Sequence, residues 1–199
     1  MSPRNYRQTK RRAMTELTQQ RIIEATVALH AEKGIVATTV TDIAQRADVG
    51  VGTIYYHYPT YDDIVRACGA HVRAVTRPPQ PAAFDGVEPI ERRIECLVQE
   101  LFAYYERYPS FERGRCDQDK LPVLAEAVAR REQALRTFVQ EAYKSVRHNQ
   151  KYVRMTLALT DFAVYRALTG QGLSAMAAAA QVTEVLLAWL KSNLTPASR

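Results

Sequence analysis

The sequence has few of the features that mark secreted, membrane or metal-binding proteins. It contains only three cysteines, Cys68, Cys96 and Cys116, whose odd number and wide spacing do not fit a disulfide framework or a zinc site. No apolar run approaches the ~20 residues of a membrane-spanning helix. The basic N-terminus is not followed by the apolar core of a signal peptide. We therefore expect a cytoplasmic protein with no membrane partner and no metal site.

The motifs of common enzyme classes are also missing. The four histidines, at positions 30, 57, 71 and 148, show no spacing that would give two metal ligands on one face. The sequence Asp117-Gln118-Asp119 lacks the glycine and the distal glutamate of a calcium loop. Neither a glycine-rich phosphate loop nor a nucleophile elbow occurs. We therefore expect no enzymatic activity and no cofactor.

The net charge of +6 is distributed unevenly along the chain. Residues 1–14 contain five basic residues and no acidic one, whereas residues 15–75 contain five basic and seven acidic residues. A cluster of positive charge at one end of a chain favours a polyanionic partner such as nucleic acid. The alternative is a solubilising tail without a partner. The basic residues of this segment are Arg4, Arg7, Lys10, Arg11 and Arg12.

Apolar residues recur at helical spacing along most of the chain, which predicts an all-α fold. Three prolines and a glycine between Thr76 and Val87 interrupt this spacing and mark a domain boundary. The predicted divisions are a basic flexible arm at 1–14, a first domain with its linking fourth helix at 15–75, a proline-rich linker at 76–88 and a second domain at 89–199. Helices are predicted at 15–33, 60–75, 89–108, 122–147, 150–169 and 174–193.

Residues 38–58 have the pattern of a helix-turn-helix. Thr41 is the predicted cap of the first helix, and Asp42 suits the positive end of its dipole. Asp48-Val49-Gly50 forms the predicted turn, with Val49 as its apolar contact to the core. A second helix from about Val51 then directs hydroxyl groups and a ring nitrogen toward a partner. Such groups suit phosphate oxygens and base edges in a DNA major groove.

This segment closely resembles the DNA-binding domain of TetR-family transcriptional regulators. The resemblance covers about the first third of the chain and rests on Thr38-Thr39-Val40, Ile43-Ala44, Val49 and the run from Gly52 to Pro59. Two positions depart from the family pattern. Gly50 stands where serine is usual, which weakens side-chain capping of the second helix, and Tyr61 stands where lysine is usual. An expected phosphate contact is therefore lost or replaced by a phenol hydroxyl.

The resemblance implies a three-helix DNA-binding domain at the N-terminus, followed by a helical domain for ligand binding and dimerisation. It implies no cofactor, and it identifies double-stranded operator DNA as the partner. We expect Val51 and Thr53 to read bases, Val51 through thymine methyl groups, and Tyr55 and His57 to bind phosphates. The full set of predicted DNA-binding residues is Thr39, Thr41, Val51, Gly52, Thr53, Tyr55, Tyr56 and His57, together with Arg4, Arg7, Arg11 and Arg12.

The last two predicted helices are apolar on more than one face, which is typical of helices that are buried on both sides. The family places a four-helix dimer interface here, so the resemblance implies a homodimer through the last two helices. The alternative is a larger monomeric core. A two-fold dimer would present two recognition helices ~34 Å apart, which predicts a palindromic operator.

Aromatic and polar residues are interleaved in three stretches of the second domain, where the resemblance implies a pocket for a small-molecule effector of unknown identity. The candidates are Phe102, Tyr105, Tyr108, Phe111, Asp161 and Tyr165. Asp161 is notable because it lies in an apolar run, where a buried carboxylate needs a partner. That partner is either a group of the protein, which we favour, or a ligand. The tyrosines equally fit a core whose hydroxyl groups reach water.

Taken together, the sequence predicts a ligand-responsive, homodimeric repressor that binds a palindromic operator and is released by its effector. Activation instead of repression is an open alternative. Two other functions for the same fold are also open. One is a nucleoid-associated protein that binds many sites without an inducer, and the other is a protein that sequesters small molecules.

Overall fold

The computed structural model describes residues 3–108 and 115–193, with side chains described from residue 8 onward. This part of the chain is helical and contains no β-strand, as the apolar spacing predicts. Short 3-10 helices occupy Pro81–Phe84 and Gln118–Lys120, and residues 115–117 are α-helical. The α-helices are α1 (Pro3–Lys33), α2 (Val40–Ala47), α3 (Val51–His57), α4 (Tyr61–Thr76), α5 (Ile90–Arg107), α6 (Pro122–Ala142), α7 (Gln150–Leu159), α8 (Phe162–Thr169) and α9 (Ala175–Asn193).

The chain divides into two compact units. The first contains the described residues of Met1–Val75 and Arg113–Val128, and the second those of Thr76–Glu112 and Ala129–Arg199. Residues 115–128, which lie within the second domain predicted from the sequence, group with the first unit. Helix α6 begins in the first unit and continues in the second.

The core of the first unit brings together α1, α2, α3 and α4. Each helix contributes apolar residues at helical spacing. Complete burial of one such side chain stabilises the fold by ~1.5–3 kcal/mol. The buried residues are Ile22, Ala25, Leu29, Ile43, Ala44, Ala47, Ile54 and Ile64, and Val49 packs against them as predicted.

Helix α1 begins at Pro3, twelve residues before its predicted start at residue 15. Proline is favoured in the first turn of a helix, and neither proline nor glycine follows until Gly34. The exposed Arg12–Glu16 ion pair is spaced to support a helix in this segment. The structure therefore extends the helix through most of the predicted arm. Residues 1–2 lie outside the described part, and flexibility of residues 1–14 in solution remains a prediction.

Two predicted helix ends are confirmed. Gly34 terminates α1 with a φ of +91°, a conformation that glycine adopts without steric cost. At the start of α4, the backbone N–H of Thr60 donates to the Asp63 carboxylate, and the N–H of Asp63 donates to the Thr60 hydroxyl. This reciprocal pair is a capping box, which fixes the start of α4.

The second unit has its own core, built from α5 to α9 and the 3-10 helix Pro81–Phe84. Phe84 is 2% exposed and stacks on Phe138 of α6, with ring centroids 4.7 Å apart. The predicted linker at 76–88 thus contributes a side chain to this core. Its prolines prevent a longer α-helix, but they do not prevent it from packing.

A buried arginine explains why α6 ends at Ala142 and not at the predicted residue 147. Arg93 of α5 is 2% exposed, and its guanidinium donates to the backbone oxygens of Glu141 and Ala142 at 2.6 and 3.0 Å. It also donates to the backbone oxygen of Phe84 at 3.0 Å. These bonds satisfy carbonyl groups that the end of a helix leaves without partners. Residues 143–146 continue as turns.

The single helix predicted at 150–169 is wrong, because the structure divides it into α7 and α8. Thr160 and Asp161 separate the two helices. Asp161 adopts an extended backbone conformation, and its carboxylate accepts a 2.9 Å hydrogen bond from the N–H of Ala163. Asp161 is therefore the N-cap of α8, a role for which aspartate is well suited.

Candidate functional site

The start of α2 is fixed by a capping box, but not at the predicted residue. Thr39 is the N-cap, so the prediction that Thr41 caps the helix is wrong. The Thr39 hydroxyl accepts from the N–H of Asp42 at 3.1 Å, while the Asp42 carboxylate accepts from the N–H of Thr39 at 2.8 Å. The capping position also requires an extended backbone, which Thr39 adopts with φ −103° and ψ 158°. Thr41 lies in the first turn of α2 and is exposed.

The Asp42 carboxylate is held in its charged form. It accepts from Lys33 Nζ at 2.5 Å and from the Thr39 hydroxyl at 2.6 Å. These bonds, with those from Lys33 largest, lower the pKa of Asp42 below its ordinary value. The single hydroxyl proton of Thr39 is thereby used within the protein. Thr41, rather than Thr39, is left as the hydroxyl donor for a partner at this helix start.

The turn between α2 and α3 is held from α1. Asp48 has a φ of +52°, and its N–H donates to the backbone oxygen of Gln45. The guanidinium of Arg21 donates to the backbone oxygens of Ala47 and Asp48 at 2.5 and 3.1 Å. A cation at the carboxyl end of a helix also interacts favourably with the negative end of the helix dipole. Arg21 therefore fixes the point at which the chain leaves α2 for α3.

Two ion pairs further attach α2 to α1. Arg46 makes a two-point contact with Glu32, with N–O distances of 2.8 and 2.7 Å, and the second pair is Lys33 with Asp42. The contact with Arg46 lowers the pKa of Glu32 and raises that of Arg46. Exposed pairs are usually weak, although a two-point arginine–carboxylate contact adds orientation. Neither these ion pairs nor the contact of Arg21 with the turn could be predicted from the sequence. The partners in each contact lie 9 to 27 residues apart along the chain.

Helix α3 buries one residue, Ile54, and leaves the predicted DNA-binding residues exposed or half-buried. Ile54 is completely buried, whereas Val51, Tyr55 and Tyr56 are 38%, 49% and 81% exposed. Gly52 is exposed, and a Cβ atom placed on it would meet no atom within 4 Å. Thr53 and His57 are half-buried. The structure thus gathers six of the predicted residues on one helix of seven residues.

The N-cap of α3 is Gly50, which provides no side-chain hydrogen bond. The helix begins through backbone bonds, in which the N–H groups of Thr53 and Ile54 donate to the Gly50 oxygen at 2.9 and 3.3 Å. Glycine is a tolerable N-cap, and its lack of a side chain agrees with the weaker capping that the sequence predicts. At the other end, the rings of Tyr56 and His57 meet edge to face, with centroids 5.1 Å apart.

Tyr61 does not serve as a replacement phosphate contact, because its hydroxyl is used within the first unit. It donates to the backbone oxygen of Ile35 at 2.6 Å and lies 3.1 Å from His30 Nε2. Since the only hydroxyl proton of Tyr61 goes to Ile35, the hydrogen between the two side chains must come from His30 Nε2. His30 Nδ1 is then the acceptor, and the Cys68 thiol, 3.6 Å away, donates to it.

These three side chains form one buried chain of neutral hydrogen bonds. Burial raises the pKa of Tyr61 and that of Cys68 to about 12, so both groups keep their protons at neutral pH. Burial also lowers the pKa of His30 to about 4, which keeps the imidazole neutral. The chain connects α1 to α4 and to the segment before α2. It therefore holds these elements of the first unit together.

The basic residues near the N-terminus are in part described. Lys10, Arg11 and Arg12 are exposed on α1, and Arg12 Nε contacts Glu16 Oε1 at 2.9 Å. The side chains of Arg4 and Arg7 lie outside the described part. An exposed ion pair of this kind is weak enough to be exchanged for a phosphate contact.

Three of the six ligand candidates meet in the second unit. Phe102, Tyr105 and Tyr165 are each less than 10% exposed, and Phe162 completes the cluster. The ring centroid of Tyr165 lies 5.3 Å from that of Phe102 and 5.6 Å from that of Tyr105. The Tyr105 hydroxyl donates to the backbone oxygen of Thr160 at 3.0 Å. In this conformation the rings pack on one another, as aromatic residues of a core do.

Tyr108 joins this cluster through Tyr104, whose ring centroid lies 6.0 Å from that of Tyr108 and 5.9 Å from that of Tyr105. Tyr108 is half-buried and lies beneath the guanidinium of Arg131, 5.9 Å from its ring centroid. Phe111 lies outside the described part. Asp161 is half-buried and caps α8, so its partner includes a backbone N–H of the protein. The expectation of a carboxylate inside a continuous apolar helix is therefore wrong, because that helix ends at Leu159.

Neither metal binding nor membrane insertion finds support in residues 3–108 and 115–193. The side chains described there form no cluster of three or more metal-binding residues. No helix in this part combines the length and the hydropathy needed to cross a membrane. Cys68 is buried, Cys96 half-buried and Cys116 exposed, and all three are free thiols.

Comparison with known proteins connects the first unit to one family. Residues 22–75 match the family model described as bacterial regulatory proteins, tetR family. Over 91 residues, the chain is 32% identical to the HTH-type transcriptional repressor KstR of Mycolicibacterium smegmatis. That match covers 45% of this chain and 44% of the repressor. The chain thus spans less than half the length of this curated relative.

Solved structures resemble the chain over most of its length. A transcriptional regulator of the TetR/AcrR family from Thermobifida fusca gives a TM-score of 0.63 at 22% identity, covering 85% of this chain and 96% of the other. The transcriptional regulator FadR from Bacillus subtilis, crystallised in complex with stearoyl-CoA, gives 0.61 at 19% identity, covering 84% and 96%. At such identities, the similarity shows a shared fold.

Proposed function

Because residues 22–75 match the TetR family of bacterial regulatory proteins, we propose that this chain is a transcriptional repressor of that family, which binds operator DNA as a dimer. A small-molecule effector would release it from the operator. The observation that carries the proposal is the surface of α3, where hydroxyl, imidazole and apolar groups are exposed or half-buried beside a single buried anchor, Ile54. The curated relative is itself described as a transcriptional repressor.

The groups on α3 suit different parts of a DNA duplex. Val51 stands at the first position of the helix, where an exposed methyl group can pack on a thymine methyl. The Thr53 hydroxyl can donate to or accept from a base edge. Tyr55 and His57 carry donors for phosphate oxygens, and the 81% exposure of Tyr56 gives it the widest reach. Thr41 adds a hydroxyl at the start of α2.

Four features of the first unit support a fixed orientation of α3. They are the Thr39–Asp42 capping box, the contact of Arg21 with the α2–α3 turn, the Arg46–Glu32 pair and the chain from Cys68 through His30 to Tyr61. Reading a base sequence requires side chains held in register with base edges. A domain that bound DNA through charge alone would need no such supports.

A homodimer would form through the last helices of the chain. Three large apolar side chains remain exposed on α7 and α9: Met155 at 36%, Met176 at 78% and Val185 at 54%. Burial against a second copy would remove them from water, and each would then contribute to dimer stability. Two recognition helices related by two-fold symmetry would call for a palindromic operator.

The effector site is proposed to involve the second unit. The aromatic cluster around Tyr105 is one location, with Phe102, Tyr108, Phe111, Asp161 and Tyr165 as the candidates from the sequence. FadR of Bacillus subtilis, which has the same fold, was crystallised with stearoyl-CoA. An effector that binds only the conformation with low DNA affinity would shift the population toward it and lower operator occupancy.

The test is a footprint of the purified protein on the intergenic DNA that flanks its own gene, with excess nonspecific competitor. We expect a protected, palindromic site. Diffuse protection that the competitor abolishes would contradict a specific regulator and would favour a nucleoid-associated or sequestering protein. If the protected site lies upstream of a promoter and the protein stimulates transcription from it, the protein is an activator and not a repressor.

A pair of variants connects the footprint to α3. Tyr56→Ala removes a side chain that is 81% exposed, so the fold should be unchanged while operator affinity falls about tenfold or more. Val75→Ala, at a 62% exposed position on α4, is the matched control and should leave affinity unchanged. Equal affinities for the two variants would contradict the assignment of α3 as the DNA-contacting helix.

A further inference from the structure

A groove on the second unit is distinct from the aromatic cluster. Its volume is about 390 Å³, within the range of small-molecule sites, and it is open to solvent. It is lined by residues 77–80, which directly follow α4, by Ala83, and by Glu100 and Arg107 of α5. None of these residues is among the ligand candidates that the sequence suggests.

The lining combines apolar surface with two guanidinium groups. Pro78, Pro79 and Ala83 provide the apolar part, and Arg77 and Arg107 provide the positive charges. Glu100 is the one acidic residue of the lining, so the groove as a whole is positive. Guanidinium groups bind carboxylates through paired, charge-assisted hydrogen bonds. This composition fits a small anion with an apolar body.

Arg107 also holds the chain where it leaves α4. Its Nε donates to the backbone oxygen of Thr76, the last residue of α4, at 2.9 Å. Its Nη2 donates to the backbone oxygen of Arg77 at 3.1 Å. A guanidinium has five N–H donors, so these two bonds leave others for a ligand. A ligand carboxylate bound to Arg107 would compete with the two backbone oxygens.

Arg77 has an unusual backbone conformation at the same place. Its φ is +47°, in the left-handed region that residues with a side chain other than asparagine or aspartate rarely adopt. The carbonyl of this residue is one of the two that Arg107 binds. Such conformations persist only where the surroundings maintain them, and they are common at ligand clamps and switches. Release of the Arg77 carbonyl would allow the segment after α4 to relax.

We propose that this groove binds a small organic carboxylate, with Arg77 and Arg107 as the carboxylate ligands and Pro78, Pro79 and Ala83 against its apolar body. Binding draws Arg107 away from the carbonyls of Thr76 and Arg77 and thereby changes the carboxyl end of α4. If the protein is a repressor, as proposed above, the groove is an effector site. This coupling rests on the proposed function, whereas carboxylate binding does not.

The test of binding is an NMR titration of the full-length protein with 4-phenylbutyrate, using 4-phenylbutanol as the uncharged analogue. We expect one saturable site per chain with a dissociation constant of about 0.1–1 mM, and at least tenfold weaker binding of the alcohol. Arg77→Asn removes one charge but keeps a residue that tolerates a positive φ, and it should weaken binding about fivefold. Glu100→Gln removes the negative charge and should strengthen it.

Arg136→Asn, an exposed arginine on α6 away from the groove lining, is the matched control and should leave the affinity unchanged. Absence of saturable binding, equal binding of the alcohol, or equal effects of Arg77→Asn and Arg136→Asn would overturn the proposal. Adding 4-phenylbutyrate to the protein–operator complex tests the coupling separately. Carboxylate binding by a protein that footprints no operator would contradict the proposed function while supporting the groove.

Discussion

At the residue scale, His30 is a buried titratable group whose neutral form is needed for the hydrogen-bond chain of the first unit. It is buried between the Tyr61 hydroxyl and the Cys68 thiol, and the hydrogen-bond chain requires Nδ1 to be without a proton. A second proton on the ring would place two donors face to face at Cys68. It would also leave a charge in a buried position, which is costly without an anionic partner.

We predict that this residue makes the protein sensitive to acid. Its pKa is lowered from 6.5 to about 4 in the folded protein, so the unfolded state binds the proton first as the pH falls. The contribution of neutral His30 is complete above pH 6.5 and is lost between pH 6.5 and 4. The loss is at most about 3 kcal/mol in the free energy of unfolding. Urea denaturation at a series of pH values measures it.

The variant for this prediction is His30→Gln, whose amide can still donate to the Tyr61 hydroxyl but does not titrate. It should be less stable than the wild type at pH 7, and its stability should change less between pH 6.5 and 4. His57→Gln, on the exposed side of α3, should follow the wild-type profile. Parallel pH profiles for the wild type and His30→Gln would show that His30 is not the responsible group.

The roles of Tyr61 and Asp161 could be predicted only in part from the sequence. Tyr61 can be recognised as a departure from a family pattern, but its partners, His30 and Ile35, lie 31 and 26 residues away along the chain. One sequence does not reveal such pairings. Asp161 was detectable, because a Thr-Asp pair before an apolar residue is a local signal for a helix start. The apolar spacing on both sides of it concealed that signal.

At the element scale, periodicity and capping residues predict most helices. The predicted bounds are wrong where the sequence also fits another structure or where a tertiary contact sets the end of a helix. Helices α4, α5 and α9 lie within two residues of their predicted bounds. Helix α6 ends early because Arg93, a residue of another helix, binds its last carbonyls. Helix α1 starts early because nothing in residues 3–14 opposes a helix, although the same basic composition also fits a flexible arm.

We predict that Asp161 acts through helix capping. Asp161→Ala should lower the free energy of unfolding by about 1 kcal/mol, because the N–H of Ala163 loses its acceptor. Asp161→Asn keeps an acceptor oxygen and should cost less. Thermal unfolding of both variants measures the difference. A carboxylate that served a cationic effector would show the opposite pattern, in which both variants lose effector binding equally and stability is unchanged.

At the scale of the whole molecule, association is predicted to depend on the exposed apolar residues of α7 and α9. Val185→Glu places a charge at a position that is 54% exposed in one chain, so the subunit should keep its fold while the dimer dissociates. Light scattering after size-exclusion chromatography measures the mass. Val36→Glu, at a 46% exposed position in the first unit, is the control and should remain dimeric. A dimeric Val185→Glu protein would place the interface elsewhere.

The N-terminal charge gives a second prediction at this scale. Deletion of residues 1–12 removes all five basic residues of this segment and should weaken binding to any DNA. The slope of log K against log salt should decrease in magnitude by about 2 or more, since each lost phosphate contact accounts for ~0.9. A double variant, Arg136→Gln and Arg147→Gln, removes charge from the second unit and should keep the slope. An unchanged slope after the deletion would refute the role of this segment.

Gly52 has a consequence for how this protein could acquire new targets. Gly52 is the second residue of α3, where it is exposed, and an added Cβ would meet no atom within 4 Å. Glycine costs up to ~1 kcal/mol relative to alanine inside a helix, and less in the first turn, so most replacements should leave the helix at least as stable. If α3 contacts the operator as proposed, the side chain at this position can change without destabilising the fold. Under the proposed function, operator preference can then evolve here by single substitutions, and a library at position 52 is a direct route to variants with altered specificity.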